Sequence, residues 1–236
     1  MTIRMTKKVA IIIVAAGNGS RIAGDVPKQW RFLADLPLVV HSFRFFDQLE
    51  VVTQLTIVLD VDSLQHQERC NWLQSENDKP IKLVTGGVSR QHSVWNAMRD
   101  LEEYKPDIVS IHDAARPFPA SVELFRDSIK QAHTSGGCIL SVPVVDTIKQ
   151  ADNQMMITSE PKRSMLWAAQ TPQTFQYTAL LDAYKQQESQ LSSFTDDASV
   201  FQASGGQVRI LQSLSSNFKI TNSDDFLRAE HFLKNK

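Results

Sequence analysis

Two cysteines in 236 residues, Cys70 and Cys138, are too few for a disulfide framework. No CxxC pair occurs, and His41, His66, His92, His112, His133 and His231 are scattered without the spacing of a zinc site. Reduced thiols and a cytoplasmic location are therefore expected. A basic excess is also missing: 25 Lys and Arg against 26 Asp and Glu leave a net charge of −1. That balance argues against a nucleic-acid partner, so any polyanion must be met by locally gathered cations. No stretch approaches the roughly 18 apolar residues of a membrane span, so no membrane partner is expected either. Repeats and low-complexity segments are absent. A hydrophobic content of 42% and a charged content of 22% are ordinary for a globular protein. The length suits one domain, 1–236, with a single excursion.

Arg4, Lys7 and Lys8 ahead of VAIIIVAA copy the charged and apolar regions of a signal peptide. The run is short and β-branched and leads straight into a glycine loop, which a first buried strand explains better. Further short β-branched runs predict strands at 9–14, 55–59, 81–84, 108–111 and 138–142. Between them Val39, Phe43 and Phe46 recur at helical spacing, as do Val94, Met98 and Leu101, and less cleanly Leu124, Ser128 and Gln131. This alternation predicts an α/β fold: a mainly parallel, doubly wound, Rossmann-like sheet with helices on both faces. Ligands of such sheets bind beyond the C-terminal strand ends, where the loops converge. Segment 144–165 breaks the rhythm. Val144 to Lys149, a polar stretch from Ala151 to Gln154, and Met155 to Thr158 read as a protruding β-hairpin arm. An isolated hairpin is marginal in water, so the arm is expected to pack on another subunit. After Met165 a helical pattern is expected to resume.

Three loops carry the chemistry. The first, VAAGNGSRIAGDVPKQW at 14–30, follows the first strand with Gly17, Gly19, Arg21 and Lys28. Backbone N–H groups of a glycine turn at a strand end suit phosphate oxygens, and nearby cations strengthen that fit. The Rossmann fingerprint would need a third glycine where Ile22 sits, and the Gly-Lys-Ser/Thr of a P-loop is absent. A plain turn with solvated cations is the bland alternative. The second loop is GGVSRQHSV at 86–94. Paired glycines allow a flat base to approach the backbone, Ser93 adds a hydroxyl, and Ser89 equally reads as a helix N-cap. The third is HDAARP at 112–117, where Asp113 can hold a ribose hydroxyl or a metal and Arg116 an anion. A local surface pair of the two is the alternative there.

Taken in order, AAGNGSR, PKQW, GGVSRQHSV, HDAARP, VVDTIK, LWAAQTPQTF, TDDAS and NFKIT resemble the 2-C-methyl-D-erythritol 4-phosphate cytidylyltransferases of the non-mevalonate isoprenoid pathway. The resemblance runs from about residue 9 to the C-terminal helix. AAGxGxR alone marks only the wider nucleotidyltransferase group. The resemblance implies attack of a substrate phosphate oxygen on the α-phosphorus of CTP, with pyrophosphate leaving. It implies Arg21 and Lys28 as transition-state cations on the triphosphate, and Mg²⁺ or another divalent cation held largely by CTP oxygens. It places Ala15, Ala16, Gly17, Gly19, Gly87 and Ser93 around CTP, and Asp113 near the ribose and metal. For the phosphorylated polyol it implies Ala114, Arg116, Thr171, Thr195 and Lys219 from one chain. Thr147 and Arg163 on the arm would reach a neighbouring subunit's site in a homodimer, with Arg163 and Lys219 aiming the attacking phosphate. Three positions depart from the family pattern. Val88 stands where relatives often carry Asp, Val145 where some carry a basic residue, and Trp30 where another aromatic is usual. A ribitol 5-phosphate cytidylyltransferase would share the CTP half and differ in the sugar half. A catalytically silent CTP-binding module is the alternative outside enzymes.

Overall fold

The structure, a computed structural model, describes residues 7–17, 26–74, 79 and 81–235. In chain order the elements begin with β1 (Val9–Val14), β2 (Phe32–Leu33), β3 (Leu36–Pro37), α1 (Leu38–Asp47), β4 (Gln54–Leu59), α2 (Val61–Gln65) and α3 (Gln67–Gln74). They continue with β5 (Ile81–Thr85), α4 (Arg90–Asp100), β6 (Ile108–Asp113), α5 (Val122–Ser135), β7 (Gly137–Pro143), β8 (Gln150–Ala151) and β9 (Ile157–Ser159). The last are β10 (Trp167–Gln176), α6 (Tyr177–Gln186), α7 (Asp197–Ala203), β11 (Val208–Gln212) and α8 (Ser223–Lys234).

Seven strands form one sheet in the order β11-β7-β10-β6-β1-β4-β5. β1 runs parallel to β4 and β6, β4 to β5, and β7 to β11. The predicted strands are all present. β1 is apolar throughout because both of its faces are covered. Val9, Ile11 and Ile13 pack with α1 and α5 residues such as Phe43, Phe46, Phe125 and Ile129. Ala10 and Ile12 pack on the other face with Val94, Met98, Leu180 and Tyr184 of α4 and α6.

Three expectations change. The segment after Met165 is not helical: β10 lies inside the sheet, antiparallel to both β6 and β7. Its sequence, WAAQTPQTFQ, conceals it, because a buried strand seldom holds Pro, three Gln and two Thr. Gln170, Thr171, Gln173 and Thr174 are nonetheless buried. The pairing register shifts between Ala169 and Gln173, around Pro172. In α5 the buried face is Phe125, Ser128, Ile129 and Ala132, while Gln131 is exposed, so the expected stripe was off by one position. In the arm the paired residues are Gln150 and Ala151 with Ile157 and Ser159, so strand pairing is shorter than expected. The Asp152 side chain accepts from the Gln154 and Met156 N–H groups and closes the turn.

A third apolar cluster joins Leu33, Leu38 and Phe118 to Ile220 and Ala229. Phe118 and Phe232 are 4.6 Å apart between ring centroids, which anchors α8 beside the loop after β6. The strap 217–221, between β11 and α8, is thereby pressed over the C-terminal end of β6. The Ile220 N–H donates to the Ala115 carbonyl at 2.8 Å. No helix among the described residues is long and apolar enough to cross a membrane.

Candidate active site

The three loops meet beyond the C-terminal ends of β1, β5 and β6 around a cavity of about 620 Å³. Ala15, Ala16 and Gly17 line it from β1, Gly87 to Arg90 and Ser93 from the start of α4, Asp113 to Ala115 from β6, and Lys28, Lys219 and Thr221 from two further segments. The paired glycines are there for close approach. A Cβ on Gly86 would lie 2.4 Å from the Ala16 Cβ, and one on Gly87 2.5 Å from the His92 Cβ. The Ser93 hydroxyl accepts from the Gly87 N–H and donates to the Ser89 carbonyl, both at 3.0 Å. Ser89 is the N-cap, accepting from the His92 N–H. The N-cap reading of this loop holds, and the cap that starts α4 also shapes the cavity wall. Val88 faces the cavity fully exposed. Trp30, the other departure in this region, is buried and donates its indole N–H to the Ser63 hydroxyl at 2.7 Å.

Asp113 sits among cations. Its Oδ1 accepts from Arg90 Nε at 3.0 Å and its Oδ2 from Lys219 Nζ at 2.7 Å. Burial alone would push this carboxyl up. Arg90 and Lys219 outweigh burial and hold it well below the usual carboxylate range. The local Asp113–Arg116 pair allowed by the sequence does not form. Arg116 instead donates to the Asn217 and Ala169 carbonyls at 2.7 and 3.3 Å. Lys28 lies on the single-turn 3-10 helix Lys28–Trp30, and its Nζ donates to the Ile220 carbonyl at 2.8 Å.

A second cavity of about 250 Å³ adjoins the first and shares Arg90, Asp113 and Lys219 with it. Arg116, Thr171, Thr195 and Asp196 are among its walls. Here β10 explains its polar sequence. The Thr171 hydroxyl accepts from the Asp113 N–H at 3.1 Å and meets His112 Nδ1 at 3.0 Å. His112 Nε2 meets the Arg116 carbonyl at 3.0 Å. A carbonyl only accepts, so the proton belongs on Nε2, and Nδ1 accepts from Thr171. This relay fixes the turn that carries Asp113 and Arg116, and it requires a neutral imidazole.

Burial, against a weaker pull from the Arg116 carbonyl, brings His112 down to about 4 from 6.5. The unfolded chain therefore takes up the proton that the folded chain refuses. Stability is complete above pH 6.5 and falls as the pH drops towards 4, by about 3 kcal/mol over that window. Asp113, held low, adds a further loss below the ordinary carboxylate range. Urea midpoints at pH 7 and pH 4.5 should separate strongly for the natural chain and much less for His112→Gln. An equal separation in both would remove His112 as the source.

Most sequence-derived residues line one of the two cavities, and Asp113 and Lys219 line both. Ala15, Ala16, Gly17, Lys28, Gly87, Ser93, Asp113, Ala114 and Lys219 surround the larger cavity, and Arg116, Thr171 and Thr195 the smaller. Gly19 and Arg21 lie outside the described residues. Thr147 and Arg163 line neither cavity of their own chain. Both are exposed on the arm, where Arg163 Nη1 donates to the Val145 carbonyl at 2.9 Å. Arg90, Gln173, Asp197 and Asn217 were missed as site residues. GGVSRQHSV and TDDAS displayed Arg90 and Asp197 as charged loop residues, but nothing in one dimension joins them. Among the described residues no cluster of three or more His, Cys, Asp or Glu could cage a metal. The donor set fits a divalent cation held mostly by phosphate oxygens, with Asp113 as the protein carboxylate beside it.

The profile of the family "IspD: 2-C-methyl-D-erythritol 4-phosphate cytidylyltransferase" matches residues 9–235. A 2-C-methyl-D-erythritol 4-phosphate cytidylyltransferase of Alkaliphilus oremlandii is 37% identical over 229 residues, covering 97% of this chain and 96% of its own. One of Clostridioides difficile is 34% identical over 224 residues, covering 95% and 93%. The crystal structure of the Francisella tularensis enzyme superposes with a TM-score of 0.80 at 28% identity, covering 95% of this chain and 99% of that one. Similarity along essentially the whole length, on a fold whose three loops close around one pair of cavities, places this chain in the 2-C-methyl-D-erythritol 4-phosphate cytidylyltransferase family.

Proposed function

We propose that this chain moves a cytidylyl group from CTP to 2-C-methyl-D-erythritol 4-phosphate, with the nucleotide in the larger cavity and the polyol phosphate in the smaller. The observation that carries the reading is the shared wall: two adjoining cavities with Asp113, Lys219 and Arg90 between them. A phosphate monoester is already largely dianionic near neutral pH, its second pKa being about 6. Its oxygen can attack without a general base, so the work left to the protein is positioning and charge. Lys28 and Arg21 act on the triphosphate, and Asp113 on the ribose side. Arg116 suits the second substrate's anion, being buried and donating to carbonyls, with no salt bridge among the described residues. Mg²⁺, when bound with CTP, supplies charge neutralisation on the phosphates, and Asp113 is the side chain placed to help hold it.

The arm belongs to a homodimer in this reading. Val145, Met155, Met156, Ile157 and Met165 leave it an exposed apolar surface, and Arg163 and Thr147 line neither of the two cavities among the described residues. Free thiols at Cys70 and Cys138 suit the reducing cytoplasm. The test is pyrophosphate release with CTP, Mg²⁺ and either methylerythritol 4-phosphate or ribitol 5-phosphate. Release with methylerythritol phosphate alone is expected. Release only with ribitol phosphate would move the chain to the sister activity, and CTP binding without release from either would make it a binding module.

A further inference from the structure

Between the two cavities lies a charge bridge in which Arg90 and Asp197 have as yet no role in the reaction. Arg90, the first residue of α4, holds Asp113 through Nε at 3.0 Å and Asp197 through Nη2 at 2.8 Å. Asp197 is wholly buried at the start of α7, and its other oxygen, Oδ1, accepts from the Tyr184 hydroxyl at 2.7 Å. Asp197 itself lines neither cavity, whereas its neighbours Thr195 and Asp196 line the smaller one. The segment is pinned from below by Gln173. That side chain donates to Asp196 at 2.9 Å and accepts from the N–H groups of Asp197 and Ala198 at 3.1 and 3.0 Å. The third guanidinium nitrogen, Nη1, is buried with no partner among the described residues. An arrangement that leaves a whole NH2 group of the guanidinium unsatisfied is set by the two carboxylates rather than by comfort of packing. Arg90 thus joins three elements far apart in sequence, α4, β6 and α7, at the wall common to both cavities.

We propose that Arg90 is a positioning residue that locks the nucleotide-side carboxylate Asp113 to the polyol-side segment 195–197, so that the two substrates are held in one register. The proposal rests on the division of the cavities between CTP and the polyol phosphate. Arginine is required for geometric reasons. Its planar fork reaches two carboxylates at once, whereas a lysine ammonium on a flexible stem is a single point charge.

The decisive variant is Asp197→Asn, a near-isosteric change at a residue that touches neither cavity. If Arg90 transmits position, this change loosens Asp113 and lowers kcat/KM for CTP by about ten- to a hundred-fold, the scale of one charge-assisted hydrogen bond. Arg90→Gln should cost as much or more. The double variant Asp197→Asn with Arg90→Gln should be no worse than the poorer single variant, because both changes break the same bridge. Arg90→Lys, which keeps a charge in the bridge, should fold and still lose at least about ten-fold. Far-UV circular dichroism and thermal melts establish that each variant is folded before kinetics. Losses that multiply in the double variant, a folded Asp197→Asn with unchanged kcat/KM for CTP, or full rescue by Arg90→Lys would each overturn the proposal. CTP dissociation constants from calorimetry on the same four proteins read the bridge without turnover. Should the natural chain release no pyrophosphate from methylerythritol phosphate, the functional reading fails, while a weakened CTP affinity in Asp197→Asn still supports the bridge.

Discussion

Lys28→Ala should lower kcat by about a hundred- to a thousand-fold while leaving the protein folded. Lys28 reaches the larger cavity from a short 3-10 turn, and its ammonium donates to the Ile220 carbonyl. Attack on the α-phosphorus brings a dianion against a polyanion and leaves more charge on the departing pyrophosphate. A fixed cation at that place acts mainly in the transition state, and loss of one preorganised donor typically costs two to three powers of ten, or about 3–4 kcal/mol of barrier. The stability cost should be far smaller, about 1 kcal/mol for a half-buried hydrogen bond. Steady-state turnover with saturating substrates, beside a urea unfolding curve, separates the two. A turnover within ten-fold of the natural chain would strike Lys28 from the catalytic residues.

Mixing two inactive proteins should restore activity. Arg163→Ala subunits keep Lys28, and Lys28→Ala subunits keep Arg163. If the arm serves the neighbouring site, a mixed dimer contains one complete site and one doubly defective site. Free exchange of equal amounts makes about half the dimers mixed, so specific activity should recover to about a quarter of that of the natural protein. Arg163 is exposed and its side chain bonds only the nearby Val145 carbonyl among the described residues, so truncating it should leave folding intact. No recovery after exchange verified by mass spectrometry would mean that Arg163 acts on its own chain.

The local rules of the chain reach a long way here. β1 is readable because both of its faces are buried, which leaves six successive apolar residues with no polar alternation. The glycines at 86 and 87 are readable as sites of close approach, and the geometry shows what they approach: the Ala16 and His92 Cβ atoms. Ser89 as an N-cap and the loop ends of β1, β5 and β6 as one ligand-facing rim follow from the same patterns. In β10, by contrast, the sequence points away from the structure. Its Gln and Thr side chains are satisfied by groups of other elements: Thr174 lies 2.6 Å from the Ser110 hydroxyl, and Gln173 accepts from the first N–H groups of α7. A polar residue in a core position is tolerable only when its partners are present, and those partners come from β6, α5 and α7.

Arg90 and Asp197 make the same point. Each was visible as a charged residue in a loop, the class that most often faces solvent. They are 107 residues apart and meet only because α4 and α7 converge at the C-terminal end of β6. The sequence by itself determined the strand-and-helix alternation, the rim at the C-terminal strand ends and the family. Each of these depends on interactions within a few residues or on motifs in fixed order. The tertiary structure alone decided the antiparallel strand inside the sheet, the pairing of Asp113 with Arg90 and Lys219 rather than with Arg116, and the division of the site into two joined cavities. Those depend on partners distant along the chain, whose charges and hydrogen-bonding groups are satisfied only once the sheet has brought them together.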